Sequence, residues 1–410
     1  MTQEQTAIRH GRTQRIIAAA EDLGFELVRV TSADPFPAAR QAIQERVALG
    51  FFAGMDWFTS ERAEVAADPH ALLPTARSVI ALGTFYLTDA PRDLTAPGDP
   101  HGRISSYAWG EDYHEVIKAR LHALADLMRA IAAEEGVVSG ETRLFVDTGR
   151  MVDRAVAQRS GMGWYGKNTN ILSRPWGSWL FLAEIVTDLD LEPDPPIAAT
   201  CGHCRVCLDA CPTQAFVAPG VLDATRCISY LTIEHRGAIP LELRPLIGNH
   251  IFGCDICQEV CPVNLVVERR LRARGELGPG SAGETRRAHF TPRQQIGPSP
   301  ALIPLLALDE DGFRERFRRS PIKRAKRRGL VRNVCVALGN LRDPVAIPAL
   351  TQSLRHDPEP LVRGHAAWAL GCIGGADARL ALQDMLAIET APEVIGEIRY
   401  ALAMEEGLTP

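Results

Sequence analysis

The sequence predicts a multidomain α+β protein, with a layered α/β domain first, a small cysteine-rich domain next and α-helical repeats last. Three observations carry that expectation. The first 195 residues alternate short apolar runs with helical patterns. Eight of the ten cysteines lie between Cys201 and Cys261. Near the C-terminus a segment repeats, Leu330 being echoed by Leu361 and Gly339 by Gly371. At 410 residues the chain is also too long for one ordinary core.

In the first domain, residues 25–31 and 78–85 read as buried strands, with a helix over 35–46 between them. The clearest helix spans 114–135, where Ile117, Leu121, Leu124, Met128 and Ile131 share one face. A short strand over 143–146 ends at Asp147-Thr148-Gly149, followed by a helical segment (151–160), a glycine-rich turn (161–166) and a strand (178–186). In open α/β sheets ligands gather beyond the carboxyl ends of strands, which is the place Asp147 takes. An aspartate capping the next turn is an equally common use of this residue type.

Glu192-Pro-Asp-Pro-Pro196 marks the end of this domain, and the cysteine region occupies 196–265. Residues 266–325, rich in Gly, Pro, Arg and Ser over 270–300, read as a connector that ends in a basic stretch. The repeats fill 326–410: Leu330-Val-Arg-Asn-Val-Cys-Val-Ala-Leu-Gly339 and Leu361-Val-Arg-Gly-His-Ala-Ala-Trp-Ala-Leu-Gly371, each followed by a second helix, over 345–354 and 376–386. Paired helices at this period indicate a solenoid similar to HEAT repeats. Cys335 and Cys372 fall on apolar faces and read as core residues.

Composition is that of a soluble globular protein, 46% hydrophobic and 23% charged. No apolar run approaches the ~18 residues of a membrane helix, and the first ten residues do not read as an export signal. A cytoplasmic monomer is the simplest expectation. The net charge of −5 argues against a general nucleic-acid coat. Yet Arg314, Arg316, Arg318, Arg319, Lys323, Arg324, Lys326, Arg327, Arg328 and Arg332 crowd one short stretch against a single acid, Glu315. Such a stretch either meets a polyanion or forms a solvated basic face.

Cys201-Gly-His-Cys204-Arg-Val-Cys207-Leu-Asp-Ala-Cys211-Pro212 is the C-x₂-C-x₂-C-x₃-C-P run of two-cluster ferredoxins. Cys254-Asp-Ile-Cys257-Gln-Glu-Val-Cys261-Pro262 repeats its last three positions, with Cys227 as the displaced first. Three thiolates from one tight turn hold three irons of a cubane, and the cysteine before proline reaches the other cluster. One [4Fe–4S] cluster is therefore expected on Cys201, Cys204, Cys207 and Cys261, the second on Cys211, Cys227, Cys254 and Cys257. Disulfides do not suit a reducing compartment. Zinc accepts CxxC pairs but needs no crossed run ending in proline. Two clusters form a wire for single electrons, and a wire needs a terminus.

Two other motifs weaken on inspection. Gly161-Met-Gly163-Trp-Tyr-Gly166 matches G-x-G-x-x-G but follows a helix rather than a strand. With Lys167 it approaches a phosphate-binding loop, except that Asn168 replaces the required Ser or Thr. A glycine-rich wall that lets a bulky ligand approach the backbone is the better expectation.

Four segments together, Trp109-Gly-Glu-Asp-Tyr-His114, Val146-Asp147-Thr-Gly, the 161–168 turn and Cys227-Ile-Ser-Tyr-Leu-Thr232 with the ferredoxin core, resemble the epoxyqueuosine reductase family. The resemblance covers essentially the whole chain. It implies that the N-terminal domain binds cobalamin, that the clusters feed it electrons from an external donor such as a ferredoxin or flavodoxin, and that the substrate is the epoxide on the modified wobble base of tRNA. It implies Asp147 as proton donor, an acid whose pKa must then be raised. Asp153, one helical turn on, is a lesser candidate. Arg62, Ser105, Lys167, Asn168 and Ser229 are the implied cobalamin contacts. Lys323, Arg324, Lys326, Arg327 and Arg332 are expected on the tRNA backbone. A reductive dehalogenase-like enzyme shares the cofactor pairing, and a plain electron-transfer protein shares the clusters. Neither accounts for both the large first domain and the basic repeat tail.

Overall fold

The computed structural model describes residues 2–137, 140–147 and 149–405. Helix α1 (Gln3–Asp22) starts with a capping box between Thr2 and Gln5. Strands β1 (Leu27–Ser32), β2 (Ser78–Phe85), β3 (Thr142–Val146) and β4 (Leu180–Thr187) form a sheet in the order β1-β2-β4-β3. All pairings are antiparallel, with Val79 opposite Val186 and Val146 opposite Ala183. Apolar patterning does not report strand direction, so the carboxyl-end rule for parallel sheets is not what places Asp147.

β2 is buried at every position because both faces are covered. Ile80 and Leu82 face Ile16 and Ala20 of α1 and the apolar stripe Ile117, Leu121, Leu124 and Met128 of α2 (Tyr113–Glu134). Val79 and Ala81 face the other way, onto Val156 and Ala157 of α3 (Asp153–Arg159). Each buried Val, Ile, Leu or Met among them contributes about 1.5–3 kcal/mol of burial free energy.

The three regions interlock. His250–Phe252, in the cysteine region, pairs in parallel with Arg103–Ile104 of the first domain. After α4 (Ile228–Ile233), α5 (Pro262–Ala273) leaves the last cysteine and buries Val267 and Leu271 in the first domain's core, joined by Leu277 and Phe290. Gly110 sits where this crossing is tightest: a Cβ there would lie 2.3 Å from the His289 carbonyl oxygen.

The repeats are α6 (Lys326–Leu341), α7 (Ile347–His356), α8 (Pro360–Ile373), α9 (Ala376–Leu386) and α10 (Pro392–Glu405). The repeated Ala-Leu-Gly marks where helices touch: a Cβ on Gly339 would meet the Trp368 ring at 2.6 Å, and one on Gly371 would meet Ala401 at 2.7 Å. α6 is bolted to the cysteine region by Asn333, whose amide donates to the Thr232 and Ile251 carbonyls, and by Asn340, which donates to those of Arg244 and Gly248. Among the described residues no helix is long and apolar enough to cross a membrane.

Candidate active site

β3 ends at Asp147, which takes a left-handed backbone (φ 46°). The segment Trp109–His114 brings two partners to it. Asp112 caps α2 by accepting the His114 N–H at 3.1 Å, and it also holds His114 Nδ1 at 2.9 Å. This fixes the first turn, so that the Tyr113 hydroxyl donates to Asp147 Oδ2 at 2.5 Å. His114 Nε2 lies 3.7 Å from the same oxygen, an ion-pair distance rather than a hydrogen bond. Beyond Asp147, Arg62 donates to the Gly149 carbonyl at 2.8 Å and lies over the Phe58 ring. Thr148 of the motif lies outside the described residues.

The protonation pattern differs from the expected one. Burial pushes the Asp147 carboxyl up, but the nearby His114 imidazole, the Tyr113 hydrogen bond and the Arg154 charge outweigh it and hold it below the usual range. Burial would lower the His114 imidazole; Asp112 and Asp147 reverse that and push it up to about 9. Burial, then the Asp147 charge, pushes the Tyr113 phenol up. Near neutral pH the protons therefore stand on His114 and Tyr113, and Asp147 is ionised. This corrects the expectation of a raised Asp147. His114 and Tyr113 escaped the sequence reading because they look like an ordinary helix start; the Asp112 cap beside them was the available signal.

The Asp147 side chain keeps 60% of its surface open although burial is the foremost influence on it. The carboxylate is therefore accessible to a ligand. Tyr107 feels both Asp147 and Asp255, which sets the carboxylate near the cluster turn Cys254–Cys257. Tyr230, three residues after Cys227, accepts the Gly54 N–H at 2.9 Å.

The ten cysteines are free thiols. Cys207 is raised by burial and by Cys261, Cys201 and Cys204, and Cys254 by burial and by Cys227 and Cys211. Cys257 joins the second group through Cys254 and Cys227, and it also feels Cys207, so the two foursomes adjoin. Cys227 and Cys261 stand before α4 and α5, whose first N–H groups point at their sulfurs. Among the described residues no three metal-binding side chains converge closely enough for a single ion. A cubane takes its thiolates farther apart, one per iron, and suits this arrangement.

The remaining expected contacts are placed differently. Ser105 is buried, and its hydroxyl bonds to Asp255 while the Ser106 hydroxyl and N–H take the other carboxylate oxygen, so this pair clasps the cluster turn. Lys167 donates to the Gly202 carbonyl at 2.7 Å and Asn168 to that of Cys257 at 3.2 Å. Their polar groups brace the cluster loops. Ser229 is half-buried in the first turn of α4, its N–H directed at Cys227. The glycine-rich turn is no ligand wall: a Cβ on Gly161 would strike the Pro195 carbonyl oxygen at 2.2 Å and one on Gly163 that of Leu172 at 2.5 Å.

The basic stretch divides. Lys323, Arg324 and Lys326 are exposed, and Arg324 lies over the Trp57 ring, pairs with Glu234 and feels Asp147. Arg327 and Arg332 are buried, which corrects their assignment to tRNA phosphates. Arg327 forms an ion pair with Asp357 at 2.5 Å, and Arg332 donates to the Leu231, His235 and Gly237 carbonyls. α6 is enclosed on most sides, so both side chains turn into the protein, which charge counting does not reveal. An open groove of about 860 Å³ lies beside the stretch, lined by Arg293, Arg314, Arg316 and Arg318 with Asp311 and Glu315; it is a surface feature apart from the Asp147 cleft.

A two-cluster ferredoxin domain set against a cleft with a carboxylate, an imidazolium and a phenol defines an iron–sulfur oxidoreductase. Family models match three stretches: epoxyqueuosine reductase QueG, DUF1730, over residues 67–148; a 4Fe-4S double cluster binding domain over 200–264; and HEAT repeats over 325–403. The epoxyqueuosine reductase of Bacillus subtilis (strain 168) is 36% identical over 394 residues, covering 95% of each chain. That of Pseudomonas aeruginosa is 38% identical over 351 residues, covering 85% of this chain and 91% of its own. A crystal structure of epoxyqueuosine reductase with an epoxyqueuosine-modified tRNA-Tyr stem loop superposes with a TM-score of 0.84 at 35% identity, over 96% of this chain and 98% of that one. The Bacillus subtilis enzyme, solved with its catalytic aspartate loop swung out of the active site, gives 0.83 at 33% identity, over 95% and 98%. The chain belongs to the epoxyqueuosine reductase family. Its cofactors are cobalamin and two [4Fe–4S] clusters. Tyr107, which feels both Asp147 and Asp255, sets the accessible carboxylate near the cluster turn, where a cofactor could take electrons, and the two foursomes of thiols fit the clusters.

Proposed function

We propose that this chain reduces epoxyqueuosine to queuosine at the wobble position of tRNA, with Asp147 handing the proton to the opening epoxide. The observation that carries the reading is the junction of Asp147, its Tyr113 and His114 partners, and the cluster turn across Tyr107. Cobalamin, when bound, would supply a strongly reducing cobalt centre, and the clusters would relay electrons to it from an external ferredoxin or flavodoxin.

The protein's own part is proton handling and positioning. Epoxide opening leaves an alkoxide, which needs an acid within hydrogen-bond reach. Asp147 passes on a proton drawn from its neighbours, His114 holding one up to about pH 9. Arg62 fixes the turn at Gly149 and so the direction of the carboxylate. The eight cysteines bind the clusters as Cys201, Cys204, Cys207 and Cys261, and Cys211, Cys227, Cys254 and Cys257. Lys323, Arg324 and Lys326 at the cleft mouth neutralise anticodon phosphates while the splayed wobble base enters. The working form is a cytoplasmic monomer.

Expression in a strain lacking its own epoxyqueuosine reductase, followed by nucleoside analysis of its tRNA, tests the activity. Queuosine should replace accumulated epoxyqueuosine. Unchanged epoxyqueuosine, with the protein present and cobalamin-loaded, would contradict it.

A further inference from the structure

Two buried carboxyls behind Asp147 have no place in the proton handling described so far. Glu184, on β4 opposite Phe145, is 1% exposed, and its Oε2 has no hydrogen-bond partner. Asp153 opens α3, which packs on β4, and its Oδ1 is likewise buried and unpartnered. The two side chains lie close enough to feel each other, and both feel the negative charge of Asp147. The charged groups around them are Asp147, Arg154 and, beside Asp153, the Tyr165 phenol. Two carboxylates this close in a buried site, each with an unpartnered oxygen, do not both stay ionised, and a proton on one lets it donate to the other. Burial raises both, helped at Asp153 by the Asp147 charge and at Glu184 by the charges of Asp153 and Asp147. Such a pair costs stability unless it serves a purpose.

The proposed reaction supplies a purpose. Removing an epoxide oxygen to leave a carbon–carbon double bond consumes two electrons and two protons and releases water. The first C–O bond breaks and the alkoxide takes one proton. The second breaks as the resulting hydroxyl leaves with the other proton. The electrons come from the external donor by way of the clusters and cobalt. A single carboxylate can deliver two protons only if it is refilled within the turnover.

We propose that Asp153 and Glu184 share a stored proton that recharges Asp147 for the second of these transfers. The assignment rests on the epoxide-reducing reading of the site. Asp153 as a residue keeps a partial opening to solvent, so the pair exchanges with bulk water between turnovers.

Infrared spectroscopy of the holoenzyme tests the store without reference to turnover. A protonated-carboxyl C=O band, shifted in D₂O, should be present near neutral pH. It should vanish in Glu184→Gln and in Asp153→Asn and survive in Asp147→Asn. Absence of the band from the wild-type protein, or its persistence in both pair variants, overturns the proposal. Against epoxyqueuosine-modified tRNA, either pair variant should turn over about 10- to 100-fold more slowly at neutral pH, with the deficit growing as pH rises. A wild-type pH profile in both variants would equally overturn it. If the wild-type protein shows the band but reduces no epoxyqueuosine, the pair stands and the epoxide reading falls.

Discussion

At Asp147 the neighbours decide which protonation state the carboxyl takes. A lone acid at a strand end would be read as the proton donor outright, yet Tyr113 and His114 hold it ionised. Asp147→Asn should keep both clusters and bound cobalamin, seen in their absorption spectra, and lose about 100-fold or more of turnover; loss of the cofactors instead would make Asp147 structural. His114 gives a second prediction. Its folded pKa is raised above its ordinary value, so its favourable pairing with Asp147 is complete below about 6.5 and is lost as pH rises through about 9. Turnover should fall over that upper window, and His114→Gln should remove the limb from a kcat–pH profile. Asp147 was legible in the sequence because a short strand ends on it in a recognisable motif. Its protonation was not, since that depends on residues 33 and 34 positions upstream meeting it across the fold.

Helix starts and helix faces carry the next level of the account. Cys227 and Cys261 precede α4 and α5, whose N–H groups face the sulfurs and stabilise negative charge there. Cys261→Ser and Cys227→Ser should each damage a different cluster, leaving the signal of the other in paramagnetic resonance; loss of the same signal in both would break the crossed assignment. From Lys323 into α6 the basic stretch separates into an outward and an inward set. Lys323→Ser and Lys326→Ser should each reduce the salt slope of tRNA binding by about one. Arg327→Ala strands a buried Asp357, so it should cost roughly 3–5 kcal/mol in a denaturant titration while leaving that slope alone. The cysteine spacing and the repeat period were plain in the sequence because both are local patterns. The inward turn of Arg327 and Arg332 was hidden, because charged residues read as solvated unless their partners are known. Composition also concealed the structure of residues 270–300, where Leu277 and Phe290 join the first domain's core.

For the whole molecule, interlocking matters more than the division into regions. The first domain lends Ile104, Ala108 and Trp109 to the core of the cluster and repeat regions, and α5 returns Val267 and Leu271 to the first domain. Ser105 and Ser106 fasten Asp255, and Lys167 and Asn168 fasten the cluster loops, so the electron path and the proton site are held in one frame. The order of the regions and their chemistry could be read along the chain. The clasp between them could not, because it consists of hydrogen bonds between segments up to 150 residues apart. The central claim is that electrons entering at the clusters end as a deoxygenated base beside Asp147. An anaerobic titration of the cobalamin-loaded protein with a counted low-potential reductant, in the presence of an epoxyqueuosine-modified anticodon stem loop, tests it most directly. The account predicts one queuosine for every two electrons delivered; electrons consumed by a fully reduced, cobalamin-loaded protein with no queuosine formed would contradict it.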